Sequence, residues 1–152
     1  MNKREASELA KAVSRECIGF RVRLLNRVIT NIFDRALQPL NISLAQGNIL
    51  MMLALYEQTS PADIGKALLM EKSTISRNLD RLQKKGWVDI VSEGDYQPQV
   101  VSLTANGRIL LKEAHRAWKK AQEEASLLLG DEGVAAVHKL HDAIRHKKSR
   151  IT

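Results

Sequence analysis

Between residues 72 and 82 the chain sets short hydroxyls and a carboxamide among guanidinium groups: Ser73, Thr74, Ser76, Arg77, Asn78 and Arg81. These are side chains that hydrogen-bond with fixed geometry. A guanidinium can donate two parallel bonds to a guanine edge, a carboxamide can pair with adenine in the same way, and hydroxyls serve bases or phosphates. Ile75, Leu79 and Leu82 fall at i, i+4 and i+7, so one side of a helix here is apolar and the other carries the polar set. An ordinary solvated face carries a Glu/Lys mixture instead. Charge placement agrees, because residues 66 to 85 hold Lys66, Lys72, Arg77, Arg81, Lys84 and Lys85 against Glu71 and Asp80, a net of +4 (6 minus 2) within a chain of formal charge +7.

The flanking sequence supplies elements that would hold such a helix. Ser60, Pro61 and Asp63 have the cap and first-turn chemistry of a helix start, and that helix runs through Ile64 and Leu68 to the turn LME. Gly86 suits the end of the next helix. WVDIV and QVVSL then read as two strands around the Gly- and Pro-containing tip SEGDYQP. Two helices joined by a short turn, the second followed by a ribbon, make a winged helix-turn-helix whose second helix fits a DNA major groove. This lobe spans residues 43–103. Upstream of the two helices, Ser43 and Gln46 have capping-box spacing ahead of LAQGNILMMLALYE.

Long helices are expected on both sides. From about Glu5 to Leu37 apolar residues recur along two lines, Leu9, Val13, Phe20, Leu24, Val28 and Ile32, and Ile18, Val22, Leu25, Ile29 and Phe33. After a cap at Thr104, a stripe of Leu110, Ala114, Ala117, Ala121, Ala125 and Leu128 reaches the break at Gly130 and Asp131, and a last helix carries Val134, Val137, Leu140 and Ile144. A small lobe cannot cover such wide faces alone. Residues 5–37 and 105–148 are therefore read as dimerisation helices, with residues 1–152 as a single domain. The fold class is mainly α with a small β-ribbon.

Composition narrows the function. A pI near 9.8 suggests a polyanionic partner, and an aromatic content of 4% leaves a Leu/Ile/Val/Ala core that favours helices. Cys17 is the single cysteine, so no intrachain disulfide forms, and a reducing, cytoplasmic setting is the natural reading. The start MNKREASELAK has no apolar leader core, and no stretch approaches the ~18 apolar residues of a membrane span. His138 and His141 sit at i, i+3 with His146 nearby, but no Cys or nearby Glu completes a tetrahedral set, so surface or interface histidines are expected and no metal. No Gly-rich phosphate loop, no nucleophile with its base and no paired carboxylates stand in a recognisable setting, so neither an enzyme nor a cofactor is expected.

The strings SPADIGKALLMEKSTISRNLDRLQKKGWV and VSLTANGR, with long helices before and after, resemble the multiple-antibiotic-resistance regulator (MarR) family of bacterial transcription factors over nearly the whole chain. The resemblance implies a homodimeric, sequence-specific regulator of transcription, most often a repressor, placing one recognition helix per subunit in successive major grooves of a pseudo-palindromic operator. Double-stranded DNA would be contacted by Ser60, Lys66 and Lys72, by Ser73, Thr74, Ser76, Arg77, Asn78, Arg81 and Lys84, and by Gln97 on the wing. It also implies a small anionic aromatic effector bound between the dimerisation and DNA-binding parts, for which Arg15, Arg21, Arg23 and Arg27 are the candidate partners.

One departure stands out. The family's Asp-x-Arg at the wing tip is replaced by SEGDYQPQ, no Lys or Arg occurs between Lys85 and Arg108, and Asp89, Glu93 and Asp95 are acidic. An acidic ribbon is repelled by phosphates, which leaves Tyr96, Gln97 and Gln99 for uncharged contacts. The rival reading is a winged-helix protein-interaction module that has lost DNA binding and docks partners through this wing. Cys17 lacks evident counterparts of the tyrosines that accompany the peroxide-sensing cysteine in one branch of the family, so a buried, inert thiol is expected.

Overall fold

A computed structural model describes residues 1–92 and 99–148, with side chains through Arg145; the wing-tip residues Glu93, Asp95, Tyr96 and Gln97 lie outside the described residues, as does the His146 side chain. The order is α1 (Lys3–Glu16), α2 (Ile18–Leu37), a 3-10 turn (Gln38–Leu40), α3 (Leu44–Tyr56), β1 (Gln58–Thr59), α4 (Pro61–Leu68), α5 (Lys72–Lys84), β2 (Val88–Val91), β3 (Val100–Leu103) and α6 (Ala105–Lys148). Helix dominates, and the strands form one antiparallel sheet in the order β1-β3-β2. This is a winged helix-turn-helix with long flanking helices.

The expected single helix over 5–37 is two. Cys17 takes an extended conformation (φ −68, ψ 108), its Sγ accepts from the Phe20 amide at 3.4 Å, and the carbonyl of Arg15 is taken up by the guanidinium of Arg21. These contacts satisfy backbone groups that an unbroken helix would satisfy internally. The apolar recurrence runs through the break because one extended residue barely disturbs a pattern spread over thirty positions. Cys17 is accordingly a half-buried cap and not a core residue. Upstream, Asn2 and Glu5 form a reciprocal capping box that starts α1 at Lys3.

Other boundaries follow local chemistry. Ser43 and Gln46 cap each other, with the Gln46 amide donating to Ser43 Oγ at 3.3 Å and the Ser43 amide to Gln46 Oε1 at 3.1 Å. Ser60 Oγ accepts from the Asp63 amide at 3.1 Å, with Pro61 in the first turn. Thr104 Oγ1 accepts from the Gly107 amide at 2.9 Å and donates to the Gly86 carbonyl at 2.7 Å, so it caps α6 and ties it to the end of α5. Gly130 (φ 66, ψ 169) divides α6 into arms 105–129 and 131–148. The two-residue strand β1 pairs Gln58 with Ser102 and Thr59 with Val101, adding a third strand to the expected ribbon; two residues are too short to show alternation in a sequence.

The main core joins the three central helices to the sheet through Ile49, Leu50, Leu53, Ile64, Ile75, Leu79, Leu82, Val88 and Val101, closed by Leu110 and Ala114 of α6. A smaller cluster of Ile32, Phe33, Ala121 and Ala125 packs α2 on α6. Elsewhere the flanking helices leave apolar side chains in the open: Leu9, Val13, Ile18, Val22, Leu24 and Val28 on α1 and α2, and Leu127, Leu128, Leu140 and Ile144 on α6. Helix α1 buries no residue at all. No helix among the described residues is long and apolar enough to cross a membrane.

Candidate nucleic-acid interface

Helix α5 is seated by its apolar line, Ile75, Leu79 and Leu82 each being at least 98% buried, so its opposite side faces outward. Ser73, Arg77, Arg81 and Lys84 follow one another there at i, i+4, i+8 and i+11, all exposed, and form a ridge along the helix. Arg77 lies back along this ridge, its Nε donating to the Ser73 carbonyl at 3.1 Å and its Nη2 to Thr74 Oγ1 at 3.4 Å. Both bonds are exposed to solvent and local, so the guanidinium can exchange them for an external acceptor at small cost. Thr74 and Asn78 are half-buried at the ridge's flank, where Asn78 Nδ2 donates to the Thr74 carbonyl at 2.9 Å and Oδ1 stays available.

The other predicted contacts gather across the helix. Ser60, Lys66, Lys72 and Ser76 line an open cleft of about 920 Å³ shared by α4, α5 and the sheet, together with Ile90 and Gln99. Of these, Ser60 has its hydroxyl committed to Asp63, donating to Oδ2 at 2.6 Å, and Lys66 Nζ lies 3.7 Å from Asp63 Oδ1 in an exposed pair of small energetic weight. Helix α5 starts at Glu71 without a side-chain cap, which leaves its electropositive first turn open beside Lys72 and Ser73. Gln97 lies outside the described residues.

Three features of this surface go beyond the sequence reading, in which Asp80 and Lys85 count only as charges and Leu69 is passed over. Asp80 is exposed three residues after Arg77 and introduces a negative charge into the ridge. Leu69, in the turn between α4 and α5, is 64% exposed and left-handed (φ 54), a conformation that costs a residue with a Cβ. The third is Lys85, which looks in the sequence like a twin of Lys84. Its ammonium is engaged elsewhere, donating to the Asn41 carbonyl at 2.6 Å and standing 4.7 Å from the centre of the Trp87 ring. Adjacent lysines carry no sequence signal for which one is bound.

The arginines expected to hold an effector are not drawn into a site. Arg15, Arg21, Arg23 and Arg27 are all exposed, and Arg21 spends its guanidinium on the Arg15 carbonyl. A groove of about 350 Å³ does lie between α2 and α6, but Val22, Leu25, Ile29 and Phe33 line it, with Asn26, Gln122, Ser126 and His138 as its polar groups. His141 points elsewhere, its Nδ1 lying 3.1 Å from Asp142 Oδ1.

Comparison with known proteins places this architecture. A family profile described as MarR family matches residues 40–95, which cover α3 to the start of the wing. The multiple antibiotic resistance protein MarR of Escherichia coli strain K12 is 27% identical over 100 residues, covering 65% of this chain and 69% of that protein. Among solved structures, a MarR variant from E. coli in complex with operator DNA superposes with a TM-score of 0.76 at 23% identity, over 87% of this chain and 96% of that one. BpsR from Bordetella bronchiseptica, described for regulation of its DNA binding by 6-hydroxynicotinic acid, superposes with a TM-score of 0.75 at 21% identity, over 86% of this chain and 95% of that one. At those identities the two structures speak for the fold.

Proposed function

We propose that the chain is a member of the MarR family and a sequence-specific DNA-binding regulator of transcription, acting as a homodimeric, ligand-responsive repressor on a pseudo-palindromic operator. One observation carries this reading. The outward ridge Ser73, Arg77, Arg81 and Lys84 stands opposite a fully seated apolar line, on the helix that the operator-bound relative's fold also contains. Residues 43–103 form the DNA-binding lobe. Within it Arg77 and Asn78 read base edges, Ser73, Thr74 and Ser76 serve bases or phosphates, and Lys66, Lys72, Arg81 and Lys84 neutralise phosphate. Ser60 contributes through its cap. The regulator works in the cytoplasm, where its DNA is.

Residues 5–37 and 105–148 provide dimerisation. Support comes from the apolar side chains left open on α1, α2 and α6, an area that a second copy would remove from water. The effector is a small anionic aromatic molecule, as is the 6-hydroxynicotinic acid that regulates BpsR. Arg15, Arg23 and Arg27 lie on the same helices as the dimer surface and can supply its counter-charge once a partner subunit closes over them. The protein-interaction reading gains no comparable support, since similar solved structures are described as transcriptional regulators or as a complex with operator DNA.

The test is selection of bound duplexes from a randomised pool, followed by salt-dependent titration. The expected product is an inverted repeat with half-sites about 34 Å apart. Its affinity should fall steeply with salt, as phosphate neutralisation requires. A protein that retains no duplex at low salt is not this regulator.

A further inference from the structure

Ile75, Leu79 and Leu82 pack α5 against the core, and that packing seats the helix. Directional contacts at its ends add to that seat. Among the described residues, the single side-chain hydrogen bond that joins α5 or its C-cap to the chain before α4 is the one from Lys85 Nζ to the Asn41 carbonyl, 2.6 Å long. The Trp87 ring, 4.7 Å from the ammonium, holds the lysine in place from the wing side.

Asn41 is not an arbitrary acceptor. It belongs to the short connection 38–43 between α2 and α3, takes a left-handed conformation (φ 55), and is followed by Ile42, which is buried in the main core. At the far end of the same connection, Asp34 of α2 accepts from the Leu44 amide through Oδ1 at 2.6 Å. The connection is thus held from two sides, by a carboxylate of α2 and by an ammonium at the end of α5. Two charge-assisted bonds, one part-buried and one exposed, link α2 to α5 through this connection.

We propose that Lys85 is a positioning residue, not a phosphate contact, and that it sets the pitch and separation at which the two α5 helices of a dimer meet DNA by tying α5 to the connection that α2 controls. This rests on the reading of α5 as the DNA-reading helix and of α2 as part of the dimerisation surface. Two subunits joined rigidly discriminate against half-sites at the wrong distance, and loosening the joint relaxes that discrimination. Loss of a phosphate contact does something different, weakening every duplex and lowering the salt slope.

The experiment compares the wild type, Lys85→Met and Lys85→Arg on three duplexes: one selected by the wild type from a randomised pool, the same duplex with one base pair inserted at its centre, and a scrambled control. One inserted pair moves the half-sites apart by about 3.4 Å. The methionine keeps the aliphatic stem over Trp87 and removes the donor, and the arginine keeps a donor. In Lys85→Met the preference for the correct spacing is expected to fall about fivefold or more, with the salt slope and the scrambled-duplex affinity held within about twofold. Lys85→Arg should retain the preference. An intact spacing preference with a salt slope lower by about one unit makes Lys85 a phosphate contact and overturns the proposal. Equal weakening on all three duplexes with a lowered melting temperature makes it a general stabiliser and also overturns it. If the wild type itself does not prefer its selected duplex to the scrambled one, the DNA reading falls and takes the proposal with it, a failure visible before any variant is made.

Discussion

Adding one methyl group at Gly107 should pull the long helix off the wing. A Cβ built there lies 2.0 Å from the Trp87 carbonyl oxygen, 3.0 Å from its carbon and 3.2 Å from Leu103 Cδ2. Both nearest atoms are backbone, so nothing flexible can swing aside, and α6 must retreat by more than an ångström. That retreat strains the bonds clustered at the same place: Thr104 amide to Trp87 carbonyl (3.2 Å), Gly107 amide to Thr104 Oγ1 (2.9 Å) and Thr104 Oγ1 to Gly86 carbonyl (2.7 Å). Overpacking costs about 1–3 kcal/mol and each lost bond about 1 kcal/mol. Against this, alanine improves a helical site by about 1 kcal/mol over glycine. With one bond lost, the net expectation for Gly107→Ala is a loss of about 1–3 kcal/mol, or a fall in melting temperature of about 2–12 °C in a chain of this size. Thermal unfolding followed by circular dichroism decides it. A melting temperature unchanged or raised would mean that helix propensity outweighs the clash, and that the junction of α6 with the wing is not the close contact described.

On the proposed dimer surface, Leu24→Glu places a charge on a side chain that is 49% exposed in one subunit and that a second copy would cover; dimerisation should weaken by at least about 2 kcal/mol per subunit, read as monomer by sedimentation. Leu110→Glu is the contrast, because Leu110 is buried in the lobe's own core, and it should unfold the lobe whatever the state of assembly. In the turn before α5, Leu69→Gly relieves a left-handed strain of about 1–2 kcal/mol against an unfolded-state penalty of about 0.5–1 kcal/mol, so a small rise in melting temperature is expected and a fall would contradict the strain.

Much of the fold can be read from the sequence because its boundaries are set by local chemistry. The Ser43–Gln46 box, the Ser60–Pro61 start, Thr104 at the head of α6 and the break at Gly130 each act within four residues of themselves, where a sequence pattern can register them. The apolar line of α5 likewise locates its exposed ridge. What escaped reading depends on contacts between distant segments or on too few residues to make a pattern. The break at Cys17 is one residue long, β1 is two, and both sit inside stretches whose hydrophobic recurrence is undisturbed. Lys84 and Lys85 are indistinguishable until Asn41, forty-four positions away, is brought beside one of them. For the same reason the arginines of α1 and α2 suggested an anion site that a single subunit does not assemble.

If α5 reads DNA, Arg77 carries much of the readout, since its two bonds in the free protein are local and exposed. Arg77→Ala should leave the melting temperature nearly unchanged while costing about 1–3 kcal/mol on the selected duplex and much less on a scrambled one. Lys84→Ala, titrated alongside at two salt concentrations, should weaken both duplexes alike and lower the salt slope by about one unit. Equal and small losses for Arg77→Ala on both duplexes would mean that the ridge of α5 is a solvated face and does not read sequence.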